Sequence, residues 1–140
     1  VVIFVNFTAT LEALASRLST VAPTALIQGG QSSADRADRV DAFQRDSAHV
    51  LICMTQAGGV GLNLHDRLGN RPRVSLISPG FSAIDLKQAL GRIHRAGSKS
   101  PAIQKIVFAA GSVEMRVCQA VRLKLTNLDL INDDELNPIL

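Results

Sequence analysis

The chain has 140 residues, 46% hydrophobic and 19% charged, with a net charge of +3 and a pI near 9.3. This is the composition of a globular chain with enough residues for one domain and a real core, and it excludes a disordered or low-complexity chain. The small basic excess permits a nucleic-acid partner but does not demonstrate one.

In chain order, Val1 to Phe7 reads as a strand, apolar except for Asn6. Its opening Val-Val-Ile-Phe-Val has no charged leading region and no initiator Met, so it reads as a strand opening an excised fragment and not as a signal peptide. Thr8 or Thr10 is expected to cap a helix with Leu11, Leu14, Ala15 and Leu18 on one face. Pro23 ends it, and Thr24 to Ile27 is the second strand. A Gly-rich loop leads to Ser32, which with Asp35 has capping-box spacing. The helix that follows turns Ala37, Val40 and Phe43 inward, and its Asp35/Arg39 and Asp41/Arg45 pairs read as a solvated face. Val50 to Met54 is the third strand, and His65 to Arg73 a looser surface insertion. Val74 to Ile77 is the fourth strand and Gln104 to Ala109 the fifth. Gly111-Ser112 opens a long helix to about Leu125, and Asn127 to Leu140 is an acidic extension. Regular alternation of strand and helix implies α/β architecture, a parallel sheet with helices on both faces. Ligands in such sheets bind at the carboxyl ends of the strands, where the glycine loop and the loop before the Arg helix are expected.

Cys53 and Cys118 lie apart and read as reduced, buried thiols, while His49, His65 and His94 are too scattered for a ligand set. No metal site and no disulfide framework is expected, and no apolar run is long enough to span a membrane. With no Trp or Tyr, and with most of the five Phe in apolar runs, base stacking on aromatic platforms is not expected.

The stretch Asp85 to Gly97 carries the densest chemistry. As a helix it places Leu86, Ala89, Leu90 and Ile93 on one face and Gln88, Arg92 and Arg95 on the other. Ser82 with Asp85 again has capping-box spacing, and Gly97 and Pro101 supply a stop. Cations near a helix C-terminus complement its dipole, which alone would account for the two arginines. A guanidinium fork also fits phosphate oxygens. Gly58-Gly59-Val60-Gly61 follows a strand, yet lacks the Lys-Ser/Thr of a phosphate loop and the third glycine of a dinucleotide loop. Phosphate-stabilising arginines without a phosphate site suggest one half of a composite active site.

Several segments, in order, resemble one family. Val2-Ile-Phe-Val-Asn-Phe resembles the motif IV strand of superfamily-two helicases. Gly29-Gly-Gln-Ser-Ser-Ala-Asp-Arg with Phe43 is similar to a pattern of the Swi/Snf-type branch, and so is Ser112-Val-Glu with Lys124. Thr55-Gln-Ala-Gly-Gly-Val-Gly-Leu-Asn-Leu looks like motif V, and Gln88-Ala-Leu-Gly-Arg-Ile-His-Arg-Ala-Gly like motif VI.

This resemblance implies a RecA-like three-layer α/β/α fold with a mostly parallel sheet of about five to six strands. The helicase C-terminal lobe would occupy residues 1–126, with 127–140 as the extension. It implies the second motor lobe of an ATP-dependent helicase or translocase. The partner would be an N-terminal RecA-like lobe of the same protein, holding ATP and Mg2+. Arg92 and Arg95 would reach the ATP phosphates, with Arg95 favoured as arginine finger. Gln88, Gly59, Gly61 and Asn63 would line the nucleotide cleft. Thr55, Gly30, Ser32 and Asn6 would lie at the nucleic-acid backbone, with duplex DNA favoured over RNA and no membrane involved. The isolated lobe is expected to be inactive, and the whole protein to work inside the cell, in nucleus, cytoplasm or a viral replication site. Gly91, Ser78-Pro79-Gly80, Ser98 and the 65–73 segment depart from the remodeller pattern. With the Ile131-Asn-Asp-Asp-Glu-Leu tail, they look closer to helicases of large viruses and phages. The alternatives are an RNA helicase lobe and a catalytically inert module that binds nucleic acid or a partner.

Overall fold

The computed structural model describes residues 1–56, 61–69 and 71–132, with 127–132 described as backbone alone. Five strands, β1 (Val2–Val5), β2 (Thr24–Ile27), β3 (Val50–Met54), β4 (Arg73–Ile77) and β5 (Ala102–Ile106), form one sheet in the order β2-β3-β1-β4-β5. Every neighbouring pair is parallel, so all strands start at one edge and end at the other. Among the described residues, four helices connect or follow them: α1 (Thr8–Leu18), α2 (Ser33–Gln44), α3 (Ala83–Ile93) and α4 (Val113–Asn132).

The layers follow from the period-2 alternation of strands buried on both sides. Val2 and Phe4 join Ala25, Ile27, Leu51, Cys53 and Ile77 beneath α2, α3 and α4, whose Phe43, Leu86, Ile93, Val117 and Val121 complete that core. Ile3 and Val5 point the other way with Val50 and Ile52, where Leu11, Leu14, Ala15 and Leu18 of α1 cover them. The expected RecA-like α/β/α sandwich with a five-stranded parallel sheet is what the chain forms. Burial pushes the Cys53 thiol up to about 12, so it remains protonated at neutral pH.

Several local expectations are corrected. α1 has no side-chain cap: Phe7, in extended conformation, occupies the N-cap, and Thr8 is already helical. Ala37 faces solvent; Val40, Phe43 and Gln44 form the inward stripe of α2 at i, i+3, i+4. β5 begins two residues earlier than expected and ends at Ile106. Cys118 is only half-buried. Of the five Phe, only Phe4 and Phe43 are core; Phe7, Phe81 and Phe108 lie exposed beyond strand ends.

Candidate nucleotide and nucleic-acid interfaces

The candidate residues divide between the two edges of the sheet. α3 begins just beyond the carboxyl end of β4, where Ser82 Oγ accepts the Asp85 amide at 3.1 Å. It then runs back across the sheet, and the link from His94 to Pro101 delivers the chain to the start of β5. The arginines therefore lie toward the amino edge, not at the carboxyl ends where ligand binding was expected. The helix also stops earlier than expected. His94 is extended, at φ −123° and ψ 111°, so Arg95 belongs to the connection and not to the helix face.

The end of α3 divides the two arginines: Arg92 stays in its last turn and Arg95 lies beyond it. Arg92 is buried, only 6% exposed, contrary to the expected outward projection. Burial, and next the positive charge of Arg95, pull its pKa below the usual arginine value. Arg95 is exposed, and its fork folds back on the chain. Nε donates to the Gly91 carbonyl at 2.9 Å and Nη1 to the Asn63 amide oxygen at 2.5 Å. A guanidinium carries five N–H donors, so these two bonds orient it without exhausting it. The backbone reinforces the pairing: the Leu64 amide donates to the Arg92 carbonyl at 3.1 Å. Asn63 and Arg95, matched to separate motifs in the sequence, are thus one assembly.

Behind Asn63 lies a polar network that the sequence reading missed. Gln44, 7% exposed, donates from Nε2 to the Asn63 carbonyl at 2.9 Å and the His65 carbonyl at 3.1 Å. Its Oε1 accepts from Arg73 Nη2 at 3.0 Å, and the Arg73 guanidinium carbon sits 4.2 Å from the Phe43 ring centroid. The available signal was a glutamine on an otherwise apolar helical stripe. The 65–73 segment is not the loose insertion expected. Asp66, 1% exposed, accepts from the amides of Leu68 (2.9 Å), Gly69 (3.1 Å) and Arg71 (2.9 Å). Its carbonyl accepts the Lys99 amide at 2.9 Å, which ties this loop to the connection beyond Arg95. Burial alone would raise the Asp66 pKa, but the nearby Ser100 hydroxyl and then these backbone amides outweigh it and hold the carboxyl well below the usual carboxylate range.

Of the other cleft candidates, Gln88 is exposed midway along α3. Gly61 lines a 300 Å³ cavity beside α2 with Ser33, Arg36, Asn63 and Arg67. Gly59 falls outside the described residues.

The carboxyl edge holds the remaining group. Asn6, Thr55, Gln56, Ser78, Phe81 and Asp85 are among the residues lining a cavity of about 460 Å³ there. Asn6 Nδ2 donates to the carbonyls of Ser78 (3.1 Å) and Pro79 (3.0 Å), and its Oδ1 would stand 3.0 Å from a Cβ at Gly80, so a larger residue there would press on the Asn6 side chain. Thr55 Oγ1 donates to the Val5 carbonyl at 3.0 Å. Ser32 caps α2, accepting the Asp35 amide at 3.0 Å and donating to its carboxylate at 2.7 Å. Gly30, at φ +81°, adopts a conformation costly for any other residue and sits exposed in the loop before it. All three polar side chains therefore have their donors engaged within the chain. What they present outward is the shape of the loops and the loop amides.

Among the described residues, no group of three or more His, Cys, Asp or Glu gathers to hold a cation.

The comparisons with known proteins bear on the family and the fold. The helicase conserved C-terminal domain family matches residues 1–97. A protein of Acanthamoeba polyphaga mimivirus, described by its name as an ATP-dependent RNA helicase, is 39% identical over 97% of this chain. The DNA repair protein rad8 of Schizosaccharomyces pombe is 35% identical over 84% of it. The crystal structure of the C-terminal part of the Fun30 ATPase domain superposes with a TM-score of 0.72 at 30% identity, over 86% of this chain and 38% of that one. The chain spans 25% of the mimivirus protein and 10% of rad8. The chain belongs to the helicase conserved C-terminal domain family.

Proposed function

We propose that this chain, with residues 1–126 as the lobe and 127–140 as an extension, is the second motor lobe of an ATP-dependent helicase or translocase. The observation that carries the reading is Arg95: an exposed guanidinium, oriented by Asn63 and Gly91 and with donors to spare. ATP and Mg2+ would be held mainly by an N-terminal RecA-like lobe, and the nucleotide supplies the energy of movement. Arg95 would set its fork against the phosphate oxygens as the lobes close, where a bidentate cation stabilises charge spread over several oxygens. Arg92, buried beside it, would hold the end of α3 and raise the local positive potential. Gln88, Gly59, Gly61 and Asn63 would line the same cleft.

At the carboxyl edge, Asn6, Thr55, Gly30 and Ser32 would shape loops whose amides meet the nucleic-acid backbone without reading sequence. The Swi/Snf-like pattern favours duplex DNA, and the protein would work inside the cell. RNA is the second reading, favoured by the similarity to the mimivirus protein described as an RNA helicase.

The test compares hydrolysis by the 140-residue chain alone with hydrolysis by a protein joining it to its N-terminal lobe, with duplex DNA or duplex RNA added. The expected result is no turnover from the chain alone and DNA-stimulated turnover from the pair. Steady hydrolysis by the chain alone would overturn the two-lobe reading. A pair that binds nucleic acid but never hydrolyses ATP would indicate an inert module.

A further inference from the structure

The buried Gln44 carboxamide has no place in the chemistry described so far, yet its surroundings are built around it. A primary amide taken out of water is costly unless its donors and acceptor are matched. Here both N–H donors and the oxygen are engaged: Nε2 with the Asn63 and His65 carbonyls, Oε1 with Arg73. We infer that Gln44 is a positioning residue for Arg95, acting through Asn63; the inference rests on the proposed role of Arg95.

Asn63 is clamped from two sides. Its carbonyl is held from the interior by Gln44, and its side-chain oxygen is held at the surface by Arg95. Fixing the Asn63 carbonyl fixes the 63–64 peptide plane, whose Leu64 amide bonds the Arg92 carbonyl, and fixing the His65 carbonyl fixes the 65–66 plane. Gln44 thereby sets the register between the 61–66 segment and the end of α3, and with it the direction of the Asn63 side chain. Asn63 Oδ1 is a neutral acceptor. A charged phosphate oxygen makes the stronger hydrogen bond to a guanidinium, so this partner orients Arg95 yet yields it. The carboxamide is the group that serves: it alone offers two donors to the carbonyls and an acceptor to Arg73.

The experiment uses the two-lobe protein and four variants: Gln44→Glu, Gln44→Met, Arg95→Ala and the Gln44→Glu/Arg95→Ala double. Gln44→Glu keeps an acceptor for Arg73, so the fold is held, but it sets carboxylate lone pairs against two carbonyls. Its kcat should fall about 10- to 100-fold, the scale for a reacting group misplaced by roughly an ångström, while the KM for ATP stays near that of the parent. Gln44→Met, which removes the donors at similar volume, should show the same split and serves if the glutamate variant does not fold. The double variant should be no slower than Arg95→Ala. Parental kcat per folded molecule in the Gln44 variants overturns the inference. So does a Gln44→Glu effect that persists undiminished without Arg95. A parental rate in Arg95→Ala would defeat the arginine reading itself, and the inference with it; a crippled Arg95→Ala beside a normal Gln44→Glu defeats the inference alone.

Discussion

Arg95 Nη1 lies 2.5 Å from the side-chain oxygen of Asn63, joining two segments 32 positions apart. Neither residue sits on a regular element. Asn63 lies between β3 and β4, and Arg95 in the connection between α3 and β5. Loops on a rigid scaffold are where proteins place groups that must meet a ligand. Here the scaffold is tied directly to both: Leu64 to Arg92, and Gln44 to the Asn63 backbone.

That arrangement separates the chemistry of Arg95 from its contribution to the fold. Because Arg95 is exposed, Arg95→Ala in the two-lobe protein should leave the melting temperature nearly unchanged and ATP binding largely intact. Single-turnover hydrolysis should fall by about 10³ or more, the range for a lost arginine finger. Arg95→Lys should rescue poorly, since an ammonium is a point charge without the planar fork. Normal hydrolysis with an early melt would make Arg95 a structural residue instead.

Arg92 should behave in the opposite sense. It is 6% exposed at the end of α3, so Arg92→Ala empties part of a packed site and should cost about 1–3 kcal/mol of stability. Ile93→Ala, next to it and fully buried, should cost about 2–5 kcal/mol through the cavity it leaves. Chemical denaturation of the three single variants, Arg92→Ala, Ile93→Ala and Arg95→Ala, gives the comparison. A loss for Arg95→Ala as large as that for Arg92→Ala would contradict the assignment of burial.

The layered α/β fold was legible because its signals are local. β2 and β3 have the expected boundaries, since short apolar runs bounded by Pro, Gly and polar residues have few other solutions. The caps at Ser32 and Ser82 were legible for the same reason: each depends on a partner three residues away. The extent of α3 was not. Periodicity carried the helix to Gly97, but the register that matters past Ile93 is set by the Leu64–Arg92 and Lys99–Asp66 backbone bonds, to residues about 30 positions distant. Once the helix ends, the face on which Arg95 was expected no longer exists. Asp66 was hidden in the same way: in sequence it is one charge in a polar stretch, and only the closed loop makes it a buried acceptor.

Asp66 makes stability depend on acid. Its folded pKa lies below its unfolded value of about 4, so the folded state binds the proton more weakly. Its stabilisation is complete above about pH 4 and is lost as pH falls through the depressed folded value. Melting curves from pH 7 downward should decline below about pH 4, and Asp66→Asn should flatten that decline. At neutral pH the Asn variant should be less stable by about 1–3 kcal/mol, because its NH2 group faces amides that need an acceptor. An identical acid profile in the variant would move the effect to other carboxylates.

The carboxyl edge gives the last prediction. Thr55, Ser32 and Asn6 already donate within the chain, so their side chains have little left to offer a phosphate. If loop amides make the contacts, binding of the two-lobe protein to duplex DNA should be insensitive to base sequence. It should weaken steeply with salt, since each neutralised phosphate releases counterions. Thr55→Val keeps the shape and removes the hydroxyl. It should cost about 0.5–1.5 kcal/mol of stability through the lost bond to Val5, and leave the affinity and its salt slope unchanged. Asn6→Ala should act differently, because Asn6 holds the Ser78 and Pro79 carbonyls and so the loop beside the 460 Å³ cavity. Freeing that loop should weaken binding at every salt concentration while leaving the slope the same, since no charge is removed. Fluorescence anisotropy of a labelled duplex, titrated at several salt concentrations, separates the two effects. A Thr55→Val variant that binds several-fold more weakly, with its melt unchanged, would show that the hydroxyl turns from Val5 to the phosphate when DNA arrives.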